Sequence, residues 1–475
     1  MSDLATKAKK GLQWSALERF LTQGIQLAIT LYLARVLGPT AFGLVGMLAV
    51  FIAIANVFVD SGFTSALIRK IDRTESDLVT AFYYNIAMAG LCYLALYISA
   101  PFVADFYQQA ELKTLLRVLG SVVLINALTL IPRVKLNVEM DFKTQAKISV
   151  LSVLFSGPTA IFLAINSYGV WALVAQTLLN ASCTALLFNF FSPWLPHGRI
   201  TKCSFSYLFG YGSKLLLSGL LDVAYNNLYQ IVIGKKFSPA MVGQFSQANQ
   251  LASVPTTTLT GIIQRVTFPL FSQLQSDSDR MANAYRITLK LSALVIFPLI
   301  AGLGLIAKPL LTSLLGEQWQ AAAALLTVLC FGYMLYPIHS INLNLLQVAG
   351  RSDLFLKLEV VKKVIGVAVL LLSIPYGVLA MCIGFTLTSY LALLLNTYYT
   401  AKLTHLSQRQ QCKDIFPIWF AVIFAAALGY GAGSYLSDSW LQIGVNLSVA
   451  LLVYSMYLVL AQKTLLLQLR TTLRP

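Results

Sequence analysis

The stretch Asn226-Asn-Leu-Tyr-Gln-Ile-Val-Ile-Gly234, then Lys235-Lys-Phe-Ser-Pro-Ala-Met-Val-Gly243, then a long run closing on Gln264-Arg-Val-Thr-Phe-Pro-Leu-Phe-Ser-Gln-Leu-Gln275, decides the fold. Two apolar segments meet at a short hinge, Gly234 to Gly243. The hinge has an earlier echo: Arg35-Val-Leu-Gly-Pro-Thr-Ala-Phe-Gly43 holds the same Pro-x-x-x-Gly, 200 residues upstream. Proline and glycine are common at helix junctions, so one echo carries little. More follow in the same order. Pro101 pairs with Pro309, Leu115-Leu116 with Leu325-Leu326, Pro132 with Pro337, and Tyr168-Gly-Val with Tyr376-Gly-Val, at offsets of 205 to 210. Collinear matches at nearly constant spacing predict a duplicated unit of about 200 residues, an arrangement common in transporters.

Composition sets the solvent. The chain has 475 residues, 57% hydrophobic and 11% charged, with a mean hydropathy of +0.74. Soluble proteins carry about 25% charged residues, so this is an integral membrane protein. Its apolar segments have the length of spanning helices. The alternating pattern of a β-barrel is absent. The six cysteines show no paired spacing and the three histidines are scattered, so neither a disulfide framework nor a metal site is expected. No catalytic motif and no cofactor motif emerges. The basic stretch before Gly11 leads into an apolar run without a cleavage site, which reads as a retained first helix.

The expected fold is an all-α polytopic membrane protein of about fourteen transmembrane helices, arranged as two pseudo-symmetric six-helix lobes plus two C-terminal helices. The helices fall near 12–34, 41–67, 79–104, 114–131, 148–166 and 169–191, then 207–233, 239–268, 286–307, 320–346, 357–374 and 377–401, then 415–436 and 440–461. The domain boundaries follow: 1–200 for the first lobe, 205–405 for the second, and 410–475 for the extra pair and tail. Basic residues test the count. Arg69, Lys70, Arg133, Arg199, Arg351 and Lys402 fall in loops on one side with both tails, and far fewer lie opposite. Positive-inside bias places both termini in the cytoplasm. It also accounts for most of the +16 charge without nucleic acid.

Ionisable residues inside a span are costly and usually face a cavity. Glu18, Arg19 and Asp60 lie in helices 1 and 2; Lys214, Asp222 and Arg265 lie in helices 7 and 8, their repeat equivalents. Asp222 sits 13 residues before Lys235, about 20 Å along a helix, near the bilayer centre. Asn226 adds polarity beyond it. The reading takes Arg19, Lys214, Asp222, Asn226 and Arg265 as substrate-binding residues, and Glu18, Asp60 and Asp222 as coupling or gating residues. Five have a plainer account: a polar helix contact for Asp222, interfacial snorkelling for Glu18, Arg19 and Arg265, a cap for Asp60. Lys290 and the tryptophans, Trp319 among them, read as interfacial anchors and an aromatic belt.

Several motifs in order resemble the polysaccharide transporter family of the multidrug/oligosaccharidyl-lipid/polysaccharide exporter superfamily. They are Ile233-Gly-Lys-Lys-Phe-Ser-Pro-Ala-Met-Val-Gly243, Arg265-Val-Thr-Phe-Pro269, Leu33-Ala-Arg-Val-Leu-Gly-Pro39, Asp60-Ser-Gly-Phe63 and Ala349-Gly-Arg351. The resemblance covers nearly the whole chain. It implies a Wzx-type or colanic-acid-exporter-like flippase of the bacterial inner membrane, with two six-helix lobes. The implied substrate is an undecaprenyl-diphosphate-linked oligosaccharide, moved for surface polysaccharide synthesis. The implied partners are that lipid-linked oligosaccharide, membrane lipids and the polysaccharide polymerase machinery. Two relatives by superfamily compete: a lipid-linked peptidoglycan precursor flippase and a drug/cation antiporter, the latter usually lacking the two extra helices. A membrane glycosyltransferase or polymerase would need a larger outer loop than this chain has.

Overall fold

The structure is a computed structural model that describes residues 2–275, 277–404 and 406–462; for residues 2–20 and Ser278 it describes the backbone alone. Every regular element among the described residues is helical. Contacts divide the chain into two compact units, 1–243 and 244–475.

The first unit begins with α1 (Ser2–Asp60), broken at Gly38, whose φ of 74° and ψ of 175° are outside the helical region. Then come α2 (Phe63–Arg69), α3 (Glu75–Tyr107), α4 (Glu111–Leu119), α5 (Ser121–Ala127), α6 (Leu130–Val138), α7 (Phe142–Ile165), α8 (Trp171–Phe191), α9 (Lys202–Asn226) and α10 (Leu228–Lys236). Polar caps set several starts: Asp141 accepts from Thr144 N at 3.0 Å and Thr201 from Ser204 N at 3.3 Å. The α7–α8 hairpin packs on α1 around Leu33, Val153, Ala160 and Leu173. Small residues permit that approach, since a Cβ built at Gly157 falls 2.2 Å from Ile29 Cδ1.

The second unit holds most of α11 (Pro239–Gln273), then α12 (Ser278–Leu305), α13 (Ala307–Leu315), α14 (Gln320–Tyr333), α15 (Tyr336–Val348), α16 (Ser352–Ser373), α17 (Val378–Thr404), α18 (Gln408–Gly433) and α19 (Ser439–Ala461). The C-terminal pair packs closely on itself at Gly429 and Gly433 against Asn446. It is tied to α12 by Tyr454, whose hydroxyl donates to the Leu294 carbonyl at 2.8 Å.

The chain is an all-α, multi-pass membrane protein. Nine helices among the described residues are long and apolar enough to span, ten if the run Glu111–Ala127 with Leu130–Val138, bent by 43°, is one span. The stretch Leu21–Arg69 counts once although Gly38 breaks it. The expected spans at 207–233, 239–268 and 357–374 coincide with α9–α10, α11 and α16, which fall outside that count; α16 does so because Asp353, Lys357, Glu359, Lys362 and Lys363 crowd its first half. Helix 4 runs further than expected. Pro132 stands in the first turn of α6, where its missing N–H costs nothing, so the helix continues to Val138 and takes in Arg133. Trp319 is another correction: it is 0% exposed, at the end of the 3-10 turn that follows Gly316, and is no part of an aromatic belt.

Some of the echoed anchors share local features. Gly169 and Gly377 both have positive φ, 59° and 93°, at the turn before a helix. Leu115, Leu116 and Leu119 are buried, as are Leu325, Leu326 and Leu329. The two Pro-x-x-x-Gly segments also meet. A Cβ built at Gly43 falls 1.7 Å from the Pro239 carbonyl oxygen, and one at Gly243 falls 2.0 Å from the Pro39 carbonyl oxygen. Each Cβ would also lie 3.1 Å from the other glycine's nitrogen, so the contact is reciprocal.

Candidate functional site

In α9, Lys214, Ser218, Asp222 and Asn226 stand four residues apart, and all four are exposed. At 3.6 residues per turn each step rotates the face by only about 40°, so they form one slowly turning polar stripe. Leu217 and Leu221, 63% and 61% exposed, flank it. The result is an amphipathic face rather than a purely polar one. Just beyond the stripe the helix breaks. Asn227 has φ −100° and ψ 1°, and its side-chain amide donates to the Val223 carbonyl at 2.8 Å before α10 resumes at Leu228. Irregular backbone at membrane depth is tolerated where protein or a water-filled cavity satisfies it, and broken helices build substrate sites in transporters.

Asp60 closes α1 at a second break. Ser61 and Gly62 have φ of 44° and 71°. Thr64 Oγ1 donates to Asp60 Oδ1, so the capping account of Asp60 is present in the structure. Its carboxylate also lies within electrostatic reach of Arg133, whose guanidinium stands 5.4 Å from the Phe188 ring centroid. Gly212 of α9 approaches this break closely; a Cβ there would fall 2.2 Å from the Ser61 carbonyl oxygen. Cations gather beside it. Arg69 lies over Tyr211 at 4.9 Å and Lys70 over Tyr207 at 5.1 Å, both rings on α9. Lys70 Nζ donates to Asp77 Oδ2 at 2.7 Å, and that bond raises the Lys70 ammonium above its ordinary pKa. Asp60, Arg69, Lys70, Arg133 and Lys214 therefore belong to one end of the first unit. Sequence reading assigned Arg69, Lys70 and Arg133 only to charge bias, because the rings they meet, Tyr211, Tyr207 and Phe188, lie far along the chain.

Arg265 stands in α11, in the second unit, and is exposed. Its neighbour Gln264 donates to Ser340 Oγ, which fixes the turn that carries it. Glu18 and Arg19 lie outside the residues whose side chains are described. The second unit also has polar networks that sequence reading missed. Tyr285 is fully buried and its hydroxyl lies within donating distance of two amide oxygens, Asn342 Oδ1 at 2.8 Å and Gln411 Oε1 at 2.9 Å. His339 meets Ser389 Oγ at 3.0 Å and Asn396 Nδ2 at 3.2 Å. Lys290, expected as an anchor, instead pairs with Asp414 at 2.9 Å. Among the described residues, no group of three His, Cys, Asp or Glu is placed to hold a metal.

Comparison with known proteins places the chain among relatives. Residues 32–324 match the profile of a family described as polysaccharide biosynthesis protein. The teichuronic acid biosynthesis protein TuaB of Bacillus subtilis (strain 168) is 28% identical over 356 residues, 74% of each chain. The lipopolysaccharide biosynthesis protein WzxC of Escherichia coli (strain K12) is 24% identical over 469 residues, 96% of this chain and 89% of that one. In fold, the chain is similar to the lipid II flippase MurJ in an inward closed conformation, with a TM-score of 0.72 at 14% identity, over 93% of this chain and 98% of that one.

Proposed function

Because the chain belongs to the polysaccharide biosynthesis protein family, as a membrane transporter and not an enzyme, we propose that it flips undecaprenyl-diphosphate-linked oligosaccharide units by alternating access. The direction is from the cytoplasmic to the periplasmic leaflet of the bacterial inner membrane, with both termini cytoplasmic. The product feeds the polymerase machinery of a surface polysaccharide. One observation carries the reading: the α9 face that joins Lys214, Asp222 and Asn226 to exposed leucines, next to a break at Asn227. A substrate with a sugar head, a diphosphate and a prenyl tail needs polar, cationic and apolar surface in one track.

The diphosphate is the part least able to enter hydrocarbon, and burying it without cations is prohibitive. Arg265, Lys214 and Arg19 are the proposed phosphate partners, with Asp60 and Asp222 as coupling groups. Arginine offers a planar fork of donors that suits phosphate, which lysine lacks. Arg265→Ala should therefore cut export at least roughly tenfold, the equivalent of a charge-assisted hydrogen bond of about 1.5 kcal/mol or more. Lipid-linked units should accumulate on the cytoplasmic leaflet, and Arg265→Lys should restore export only in part. Surface glycan and leaflet location are measured at matched protein levels. Normal export by Arg265→Ala, Arg19→Ala and their double variant would show that the diphosphate is held elsewhere.

A further inference from the structure

A cavity of about 940 Å³ opens in the second unit among α12, α13, α14, α18 and α19. It lies at the upper end of the range for ligand pockets. None of the proposed substrate residues lines it. Its floor is apolar, with Leu305, Phe331, Ile423 and Ala426. Its rim carries two opposite charges, Lys308 and Glu317, with neutral hydrogen-bonding groups from Tyr430 and Gln442. No ion pair joins Lys308 to Glu317 among the described residues.

The rim is held in place. Glu317 opens a single 3-10 turn whose last residue, Trp319, is fully buried. Gln244 clamps the same turn: its Nε2 donates to the Gln318 carbonyl at 2.6 Å, and its Oε1 accepts from Ala322 N at 2.7 Å. Lys308 stands in the first turn of α13. Both charges therefore stand on anchored backbone and share the cavity lining with the apolar residues, on the side that the distribution of basic residues predicts to be periplasmic.

We propose that this cavity binds a phospholipid with a phosphoethanolamine head, drawn from the leaflet on that side. The Lys308 ammonium takes the phosphate and the Glu317 carboxylate takes the primary ammonium, each as a charge-assisted hydrogen bond. The acyl chains cover the floor. A purely anionic head would satisfy Lys308 but meet the Glu317 carboxylate, and like charges side by side repel. A choline head carries charge but no N–H to donate. This site is independent of the substrate track on α9.

The test uses the purified full chain in detergent, titrated with phosphatidylethanolamine, phosphatidylglycerol or undecaprenyl phosphate. Binding is read by native mass spectrometry and thermal shift. Phosphatidylethanolamine should bind at least fivefold tighter than phosphatidylglycerol. Glu317→Gln should keep binding but bring that ratio near one. Lys308→Gln should weaken both lipids, and Ile423→Trp, which fills the floor without changing charge, should remove uptake. Equal or tighter binding of phosphatidylglycerol by the unmodified chain would overturn the proposal. So would an unchanged ratio in Glu317→Gln, or displacement of phosphatidylethanolamine by an equal concentration of undecaprenyl phosphate. Because selectivity of the unmodified chain is itself decisive, a variant that misfolds leaves the test intact.

Discussion

Asp414 accepts from Arg286 Nε at 2.6 Å, Arg286 Nη2 at 2.9 Å and Lys290 Nζ at 2.9 Å, and its side chain is only 6% exposed. Removing one partner of such a group leaves the others unpaired, which for fully buried pairs costs about 3–5 kcal/mol. Arg286 and Lys290 keep 37% and 26% exposure, so solvent screening lowers the expected loss for Asp414→Ala to about 2 kcal/mol. Thermal unfolding in detergent measures it, and a loss within error of zero would show that the cluster contributes nothing. A second carboxylate tests pH. The Arg351 guanidinium beside Asp353 holds its carboxyl down to about 2, from an ordinary 3.8. The stability this exposed pair lends to the start of α16 is therefore present above pH 3.8 and lost as pH falls through about 2. NMR titration should find Asp353 near that value and Arg351→Gln should return it toward 3.8; a normal titration in the unmodified chain would refute the pairing. The Asp414 cluster was not legible from residues alone. Arg286 and Asp414 are 128 positions apart, and nothing in the periodicity of either helix names the other. Asp60 was legible because a carboxylate before Ser-Gly marks a helix end.

Pairs of helix ends carry the next level. Gly43 and Gly243 each face the other segment's proline carbonyl across a gap that admits no methyl group. Gly43→Ala or Gly243→Ala must push the segments apart, and overpacking of this kind costs about 1–3 kcal/mol. The two changes act on one gap. Once it has widened for one methyl, the second should cost little, so the double variant should lose clearly less than the sum of the singles. Additive losses would mean two separate contacts. The hinge itself was readable, because proline and glycine at fixed spacing mark where helices stop and start. The facing of one hinge on the other was not, since nearly constant spacing predicts likeness and says nothing of contact. The breaks at Ser61 and Asn227 were half-readable: the Ser-Gly pair signals one, while no motif announces the other, where Asn227 has φ −100° and ψ 1°.

For the whole molecule, composition fixed the solvent and helix periodicity the class, and the all-helical architecture agrees. Hydropathy alone supports nine or ten spans among the described residues; the proposed fourteen depend on charge alternation. Cysteines introduced singly at Arg69, Arg351 and Arg409 should react with impermeant maleimide only from the side of the termini. Those at Lys235 and Lys308 should react only from the opposite side. Labelling of Arg69 and Lys308 from the same face would break the alternation. The tail pair α18–α19 was legible as additional and illegible as anchored, since its ties to α12 run through Asp414 and Tyr454. The reciprocal glycine contact has a last consequence, for inheritance. Because each glycine's neighbour is the other hinge's backbone, a mutation at 43 is judged by residues 239–243, and one at 243 by residues 39–43. The two segments are each other's selective environment, and neither can drift in sequence alone.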